Sequence, residues 1–259
     1  MINLALTHEQ IRNYQPKNNC LADKTILVTG AGDGIGRIAA LTYAKYGATV
    51  LLLGKTLSKL TAVYDEIEQQ GGAQPVVIAL NLEGAKAEDM TNLVELIIKE
   101  TGQLDGILHN AAILGDLAPL ESYDIGVFEQ VMNVNFMATL RLTQALLPVL
   151  KKSANGSVVF TSSSVGSEPR AFWGAYAISK QAVEGISSLF TQETKNTTNL
   201  RFNCVNPGAT RTRMRAEAKP NEDPMTLKTP EDIMPAYVCL MTDDSLDVKG
   251  EVINLNLQP

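Results

Sequence analysis

Thr25-Ile-Leu-Val-Thr-Gly-Ala-Gly-Asp-Gly-Ile-Gly36, followed by the helical pattern Arg37 to Tyr46, decides how this chain folds. A short apolar run gives way to four glycines within residues 30–36 and then to an amphipathic stretch. The order is strand, tight turn, helix. Glycine lets the backbone turn sharply and come close to a bulky anion, and the helix behind it presents unpaired N–H groups and the positive end of its dipole. Inside a βαβ unit, this arrangement suits the pyrophosphate of a dinucleotide. It marks Gly30, Asp33, Gly34, Ile35 and Gly36 as the cofactor loop.

Outward from that turn, six more apolar runs follow: Thr49 to Leu53, Val76 to Leu80, Gly106 to His109, Ser157 to Thr161, Arg201 to Val205 and Glu251 to Leu255. Helical patterns separate them at Leu57 to Gln70, Lys86 to Thr101, Tyr123 to Leu147, Ala175 to Lys195 and Pro230 to Met241. Near-continuous apolar strands, rather than alternating ones, belong to parallel sheets covered on both sides. The expected fold is therefore α/β, a single doubly wound Rossmann-type domain with a seven-stranded parallel sheet and helices on both faces. That domain spans residues 23–259, after an N-terminal extension at residues 1–22. The extension is polar, and its composition suits packing along the domain, a subunit contact or a partly ordered arm equally.

Composition removes several classes of function. With 259 residues, 45% hydrophobic and 19% charged, the chain can bury one large core. A net charge of −6 offers no basic face for nucleic acid. Three widely spaced cysteines fit neither a disulfide framework nor a zinc cluster, and two histidines leave little for a metal site or a Ser-His-Asp triad. No metal is expected. No segment has the length and hydropathy of a signal peptide or a membrane span, so the expected location is cytoplasmic.

Chemistry concentrates at the strand-to-helix junctions, where ligands of doubly wound sheets sit. Tyr176 and Lys180 lie one helical turn apart in Gly174-Ala-Tyr-Ala-Ile-Ser-Lys-Gln-Ala-Val-Glu-Gly, so a phenol and an ammonium share one helix face. A tyrosine transfers protons poorly at neutral pH unless a cation stabilises its phenolate, and Lys180 is placed to do so. At the end of the second strand, an acid would accept the ribose hydroxyls of NAD, but the sequence there is Leu53-Gly54-Lys55-Thr56. Lys55 can pair with a 2′-phosphate, which favours NADP(H) over NAD(H), while Asp33 in the glycine loop speaks against it.

Together with Asn110-Ala-Ala112, Asn135, Ser163-Ser-Val-Gly166 and Pro207-Gly-Ala-Thr-Arg-Thr212, these elements resemble a short-chain dehydrogenase/reductase from about Asp23 to Leu255. Trp173-Gly-Ala-Tyr, Asn206-Pro-Gly-Ala-Thr-Arg-Thr and Lys228-Thr-Pro-Glu-Asp-Ile-Met-Pro look like its bacterial YciK-like branch. The resemblance implies an NADP-dependent oxidoreductase moving hydride between nicotinamide and a carbonyl or secondary alcohol. Tyr176 would be the general acid/base, Lys180 would tune it and hold the ribose, and Ser163, thirteen residues before Tyr176, would bind the substrate oxygen, with Ser162 and Ser164 as rivals. Asn135 would hold a water of a proton relay, against the plainer reading of a satisfied buried amide.

The same resemblance assigns Asn81, Leu82, Asn110, Pro207, Gly208, Thr210 and Thr212 to the cofactor, along with Tyr176 and Lys180 themselves. Asn81 stands where an aspartate is usual, and His109-Asn-Ala-Ala112 replaces the usual Asn-Asn-Ala-Gly; His109 reads as packed beside the sheet. Residues 211–228 would form a substrate lid, whose arginines suit either an anionic substrate or solvent, and Phe172 and Trp173 suit an apolar pocket or a subunit contact. A homodimer or homotetramer is implied, with a small-molecule substrate and no nucleic-acid or membrane partner. A catalytically silent nucleotide-binding scaffold is the alternative from another class. An enoyl reductase is disfavoured by the Tyr–Lys spacing.

Overall fold

The computed structural model describes residues 5–255; the first four residues of the N-terminal extension and the last four of the chain lie outside it. Seven strands, β1 (Thr25–Thr29), β2 (Thr49–Gly54), β3 (Val76–Ala79), β4 (Gly106–His109), β5 (Ser157–Thr161), β6 (Arg201–Asn206) and β7 (Val252–Asn254), form one sheet. Its order is β3-β2-β1-β4-β5-β6-β7 and every pairing is parallel, from Leu27 beside Leu51 to Val205 beside Ile253. This is the expected doubly wound sheet. The strand order reverses between β1 and β4, which opens a crevice beyond their carboxyl ends.

Ten α-helices flank the sheet in the described chain, besides short 3-10 and π turns: α1 (His8–Arg12), α2 (Gly34–Lys45), α3 (Leu57–Gln69), α4 (Ala87–Thr101), α5 (Ile125–Met132), α6 (Ala138–Leu150), α7 (Ser164–Ser167), α8 (Gly174–Thr194), α9 (Arg213–Ala218) and α10 (Met234–Met241). Alternation along each strand distributes its side chains to two cores. Ile26, Val28, Val50, Leu52 and Val205 pack with α2, α3 and α10, whereas Leu27, Leu51, Leu53, Ile107 and Phe202 pack with α4, α6 and α8. Gly102 closes α4 in the left-handed region at φ 70°, as its place after an amphipathic run suggests.

The stretch expected as one helix over Tyr123 to Leu147 differs. It starts at Ile125, where Asp124 accepts a bond from the Val127 N–H, passes through a π-helical turn at Asn133–Met137 and continues to Leu150. Pro148 sits inside its last turn, where a missing N–H removes a single hydrogen bond. In the extension, Ile11 and Leu21 are fully buried in the core shared with α2 and α10. Tyr14 donates to Asp244 at 2.7 Å, and the Leu21 N–H donates to the Tyr46 carbonyl at 3.0 Å.

Candidate active site

The turn after β1 is shaped by its glycines. Gly30 and Gly34 adopt positive φ of 68° and 50°, conformations that L side chains rarely hold. Gly36 answers a different demand: a Cβ there would lie 2.3 Å from the Gly30 carbonyl oxygen and 2.7 Å from Asn110 Nδ2. It is the close approach of α2 to the turn, not torsion, that excludes a side chain. Thr29 ties this turn to the neighbouring strand, since its hydroxyl accepts the N–H groups of Asn110 and Ala111 at 2.9 and 3.0 Å.

Asp33 caps α2 by accepting the Gly34 N–H at 2.8 Å, and its other oxygen meets Lys59 Nζ at 2.5 Å. That bond to Lys59 is the main reason its carboxyl lies below the usual range, helped by Gly34 N–H and the charge of Arg213. Lys55 stands exposed at the end of β2, on the same cleft. The anion that spoke against a 2′-phosphate is thus already neutralised, and Lys55 carries no ion pair among the described residues.

A cleft of about 580 Å³ runs from this turn to the helix-borne tyrosine. Gly30, Asp33, Gly34, Ile35, Lys55, Asn81, Leu82 and Asn110 border it on one side of the switch point. Pro207, Gly208, Thr210 and Thr212 border it after β6, and Ser163, Tyr176 and Lys180 at its far end. Gly36 and Asn135 do not reach it. Thr212 closes on the glycine turn, its Cγ2 lying 3.5 Å from where a Cβ of Gly34 would stand. The elongated shape, the glycine turn and the neutralised Asp33 fit a dinucleotide.

At the end of β5, Ser162 is drawn away from the reacting end: its hydroxyl donates to Glu184 at 2.5 Å. Ser163 is the serine that borders the cleft beside Tyr176 and acts on its hydroxyl. Tyr176 is buried, and burial pushes its hydroxyl up to about 12, with the neighbouring Ser163 pulling the other way. Lys180, expected to lower the tyrosine, donates instead to the Thr161 carbonyl at 2.7 Å, with its ammonium 5.6 Å from the Tyr176 ring centroid. Burial brings Lys180 down to about 8. Both groups therefore lean towards their neutral forms, because the low-polarity surroundings penalise either charge.

Asn135 sits in the π-helical turn and is buried. Its Oδ1 accepts the Ile113 N–H at 2.8 Å, and its Nδ2 donates to the Ile113 carbonyl and to Ser179 Oγ, both at 3.0 Å. Ser179 in turn donates to the Tyr176 carbonyl at 2.7 Å. The amide thus joins the segment after β4 to the helix carrying Tyr176. His109 is packed beside the sheet, stacked on Phe160 with centroids 5.0 Å apart and bonded to Thr143 Oγ1 at 2.9 Å.

Burial takes the His109 imidazole down to about 3, so it is neutral in the folded state. The unfolded histidine titrates near 6.5, so its contribution to stability is complete above that pH and is lost as pH falls towards 3. The slope is at most about 1.4 kcal/mol per pH unit. Urea melts between pH 7 and 4.5 should show the stability difference between wild type and His109→Gln shrinking as the pH drops.

Of residues 211–228, Thr212, Arg213, Met214, Arg215, Glu217 and Ala218 border the cleft. The base of this segment is a bridge of Thr210 to Lys228, with the Arg211 N–H donating to the Lys228 carbonyl at 2.8 Å. The arginines are engaged internally: Arg211 Nε donates to the Pro224 carbonyl at 2.7 Å and Arg213 Nε meets Glu217 at 2.8 Å. Arg215 grips Glu222 with two bonds of 2.5 and 2.6 Å. Sequence reasoning did not single out Lys59, Thr29, Leu114 or Met214, all of which shape the site. Lys59 and Met214 belong to surface-like helical stretches with no local signal, and only the position of Thr29 at the head of the glycine motif hinted at its part.

Comparison with known proteins places this geometry. The family model for short chain dehydrogenase matches residues 24–223. The uncharacterized oxidoreductase YciK of Escherichia coli K12 is 54% identical over 233 residues, covering 90% of this chain and 92% of that protein. A short chain dehydrogenase of Shigella flexneri, solved with NADP, is 51% identical with a TM-score of 0.89, covering 92% of this chain and 99% of its own. One from E. coli CFT073, solved with NADPH, is 53% identical with a TM-score of 0.90 and the same coverage, 92% and 99%. Among the described residues, no helix is long and apolar enough to cross a membrane.

Proposed function

Because this chain belongs to the short chain dehydrogenase family and is an oxidoreductase, we propose that it works with NADP(H), interconverting a carbonyl and a secondary alcohol with Tyr176 as the proton-transferring group. The observation that carries the reading is the gathering of Ser163, Tyr176 and, one turn on, Lys180 at the end of a cleft that begins in the glycine turn. A bound reduced nicotinamide supplies hydride. Tyr176, protonated at neutral pH, donates to the substrate oxygen, and Ser163 orients both. Lys180, with its pKa near 8, can exchange a proton at working pH and so return one to the tyrosine. Asn135 acts as a positioning residue, fixing Ile113 and, through Ser179, the backbone at Tyr176.

NADP is favoured over NAD by Lys55 and by the masking of Asp33 by Lys59, and the two solved relatives carrying NADP and NADPH support the preference. Asn81 and Leu82 would flank the adenine, and residues 211–228 would serve as the lid. The chain is expected to act as a homodimer or homotetramer, which the exposed Ile125, Ile178 and Leu189 of α5 and α8 would suit.

Titration with NADPH and NADH, followed by nicotinamide fluorescence, tests the cofactor reading. Lys55→Ala should weaken NADPH about tenfold, the scale of one exposed charge-assisted contact, and leave NADH unchanged. Equal weakening of both nucleotides would remove the phosphate role, and binding of neither would return the chain to the scaffold alternative.

A further inference from the structure

We propose that the reacting end of the cleft takes an uncharged ketone or secondary alcohol bearing an apolar substituent, aliphatic or aromatic, and excludes substrates with a carboxylate or phosphate beside the carbonyl. The inference deepens the oxidoreductase reading above and rests on it. Around Tyr176, the buried Val165 and Ala177 form an apolar cluster with Leu114, Trp173 and Met214 packed against it. The last three also border the cleft, so the wall next to the reacting hydroxyl is apolar on several sides. The Trp173 ring lies 6.0 Å from that of Tyr176, tilted by 55°, and supplies a broad flat surface. Met214, unbranched and adaptable, faces the same space and tolerates differently shaped substituents.

Charge points the same way. Arg213 is paired with Glu217, Arg215 is held by both oxygens of Glu222, and Lys59 is held by Asp33. Lys180 donates to the Thr161 carbonyl, and Glu83 accepts from Gln130 at 2.9 Å. Lys55, the remaining cation on the cleft, stands at the end of β2, in the glycine-turn half. A carboxylate beside the carbonyl would meet cations whose charge is already offset by Glu217, Glu222 or Asp33, or a Lys180 that burial leans towards its neutral form, whereas an alkyl chain displaces water from apolar walls.

The step balances simply: the carbonyl carbon gains hydride from the reduced nicotinamide, its oxygen gains the Tyr176 proton, and C=O becomes CH–OH. The oxidised cofactor leaves and the tyrosine recovers a proton from solvent.

The test is kcat/KM with NADPH for methyl ketones of increasing chain length against 2-keto acids of matched length, in wild type, Trp173→Ala and Met214→Ala. Each added methylene should raise kcat/KM about fourfold until the apolar wall is covered. Keto acids should be at least tenfold poorer, and either substitution should flatten the chain-length series through KM. An unchanged NADPH titration in each variant shows that it is folded. Keto acids outpacing ketones, a flat series in the wild type, or NADPH binding with no ketone turned over would each overturn the proposal. Failure of NADPH to bind the wild type would overturn the cofactor reading beneath it.

Discussion

Tyr176→Phe should reduce turnover by about 10²- to 10⁴-fold while leaving NADPH affinity within twofold, because it deletes one oxygen from a buried ring and nothing from the cofactor loop. A positioned acid contributes that range, equivalent to about 3–5 kcal/mol of barrier. The hydroxyl lost is the one held near 12 by burial, so it is fully protonated at neutral pH. The sign of the pH effect follows. Carbonyl reduction needs the protonated tyrosine and should be level through the neutral range, whereas alcohol oxidation needs a proton removed and should climb with pH. Steady-state rates in both directions, with parallel fluorescence titrations, check each part. Retained turnover in Tyr176→Phe would move the acid/base role to another group, with Lys180, near 8, the first to test.

Gly36→Ala should destabilise the protein by about 2–3 kcal/mol and abolish NADPH binding, although alanine is the better helix former by about 1 kcal/mol. A methyl group at this position would meet the Gly30 carbonyl, a backbone atom of the turn, at 2.3 Å and the side-chain amide of Asn110, just after β4, at 2.7 Å. Relief requires α2 to move away, and with it the N–H groups that face the cleft. Gly185→Ala provides the contrast, since nothing lies within 4 Å of the added carbon and α8 continues on both sides. It should gain about 0.5–1 kcal/mol. Thermal melts of the two variants, read beside nucleotide titrations, separate crowding from propensity. Equal stability of Gly36→Ala and wild type would show that α2 is not pinned to the turn.

Both predictions rest on features with different visibility in the sequence. The seven strands were legible because fully buried parallel strands leave unbroken apolar runs, such as Thr49 to Leu53, that local reading can count. Their order was not, since it is set by which crossover packs on which face and becomes visible only in the folded sheet. The π-helical turn at Asn133–Met137 was not legible, since its residues are as helix-compatible as their neighbours and the extra residue is set by bonds from Asn135 to Ile113. The four-residue α7 and six-residue α9 are too short to show a period. Within the cleft, residues lying in glycine-rich or Tyr-Lys spacing announced themselves. The engagement of the lid arginines did not, because Arg215 and Glu222 are seven positions apart and meet only once the segment has folded back.

The pairing of Asp33 with Lys59 has a consequence for how such a chain drifts over generations. The charge presented at the glycine turn is a difference between two residues on separate elements, 26 positions apart. Neither is buried, so mutation at Lys59 leaves the core untouched and mutation at Asp33 costs only the α2 cap, about 1 kcal/mol. A single base change can turn a lysine codon into one for glutamate, which would unmask one acid and add a second. Loss of Asp33 would do the reverse and free a cation. On the reading proposed above, descendants can therefore move between nicotinamide pools by single steps that cost the fold little, and close relatives with superimposable backbones can differ in the redox supply on which they draw.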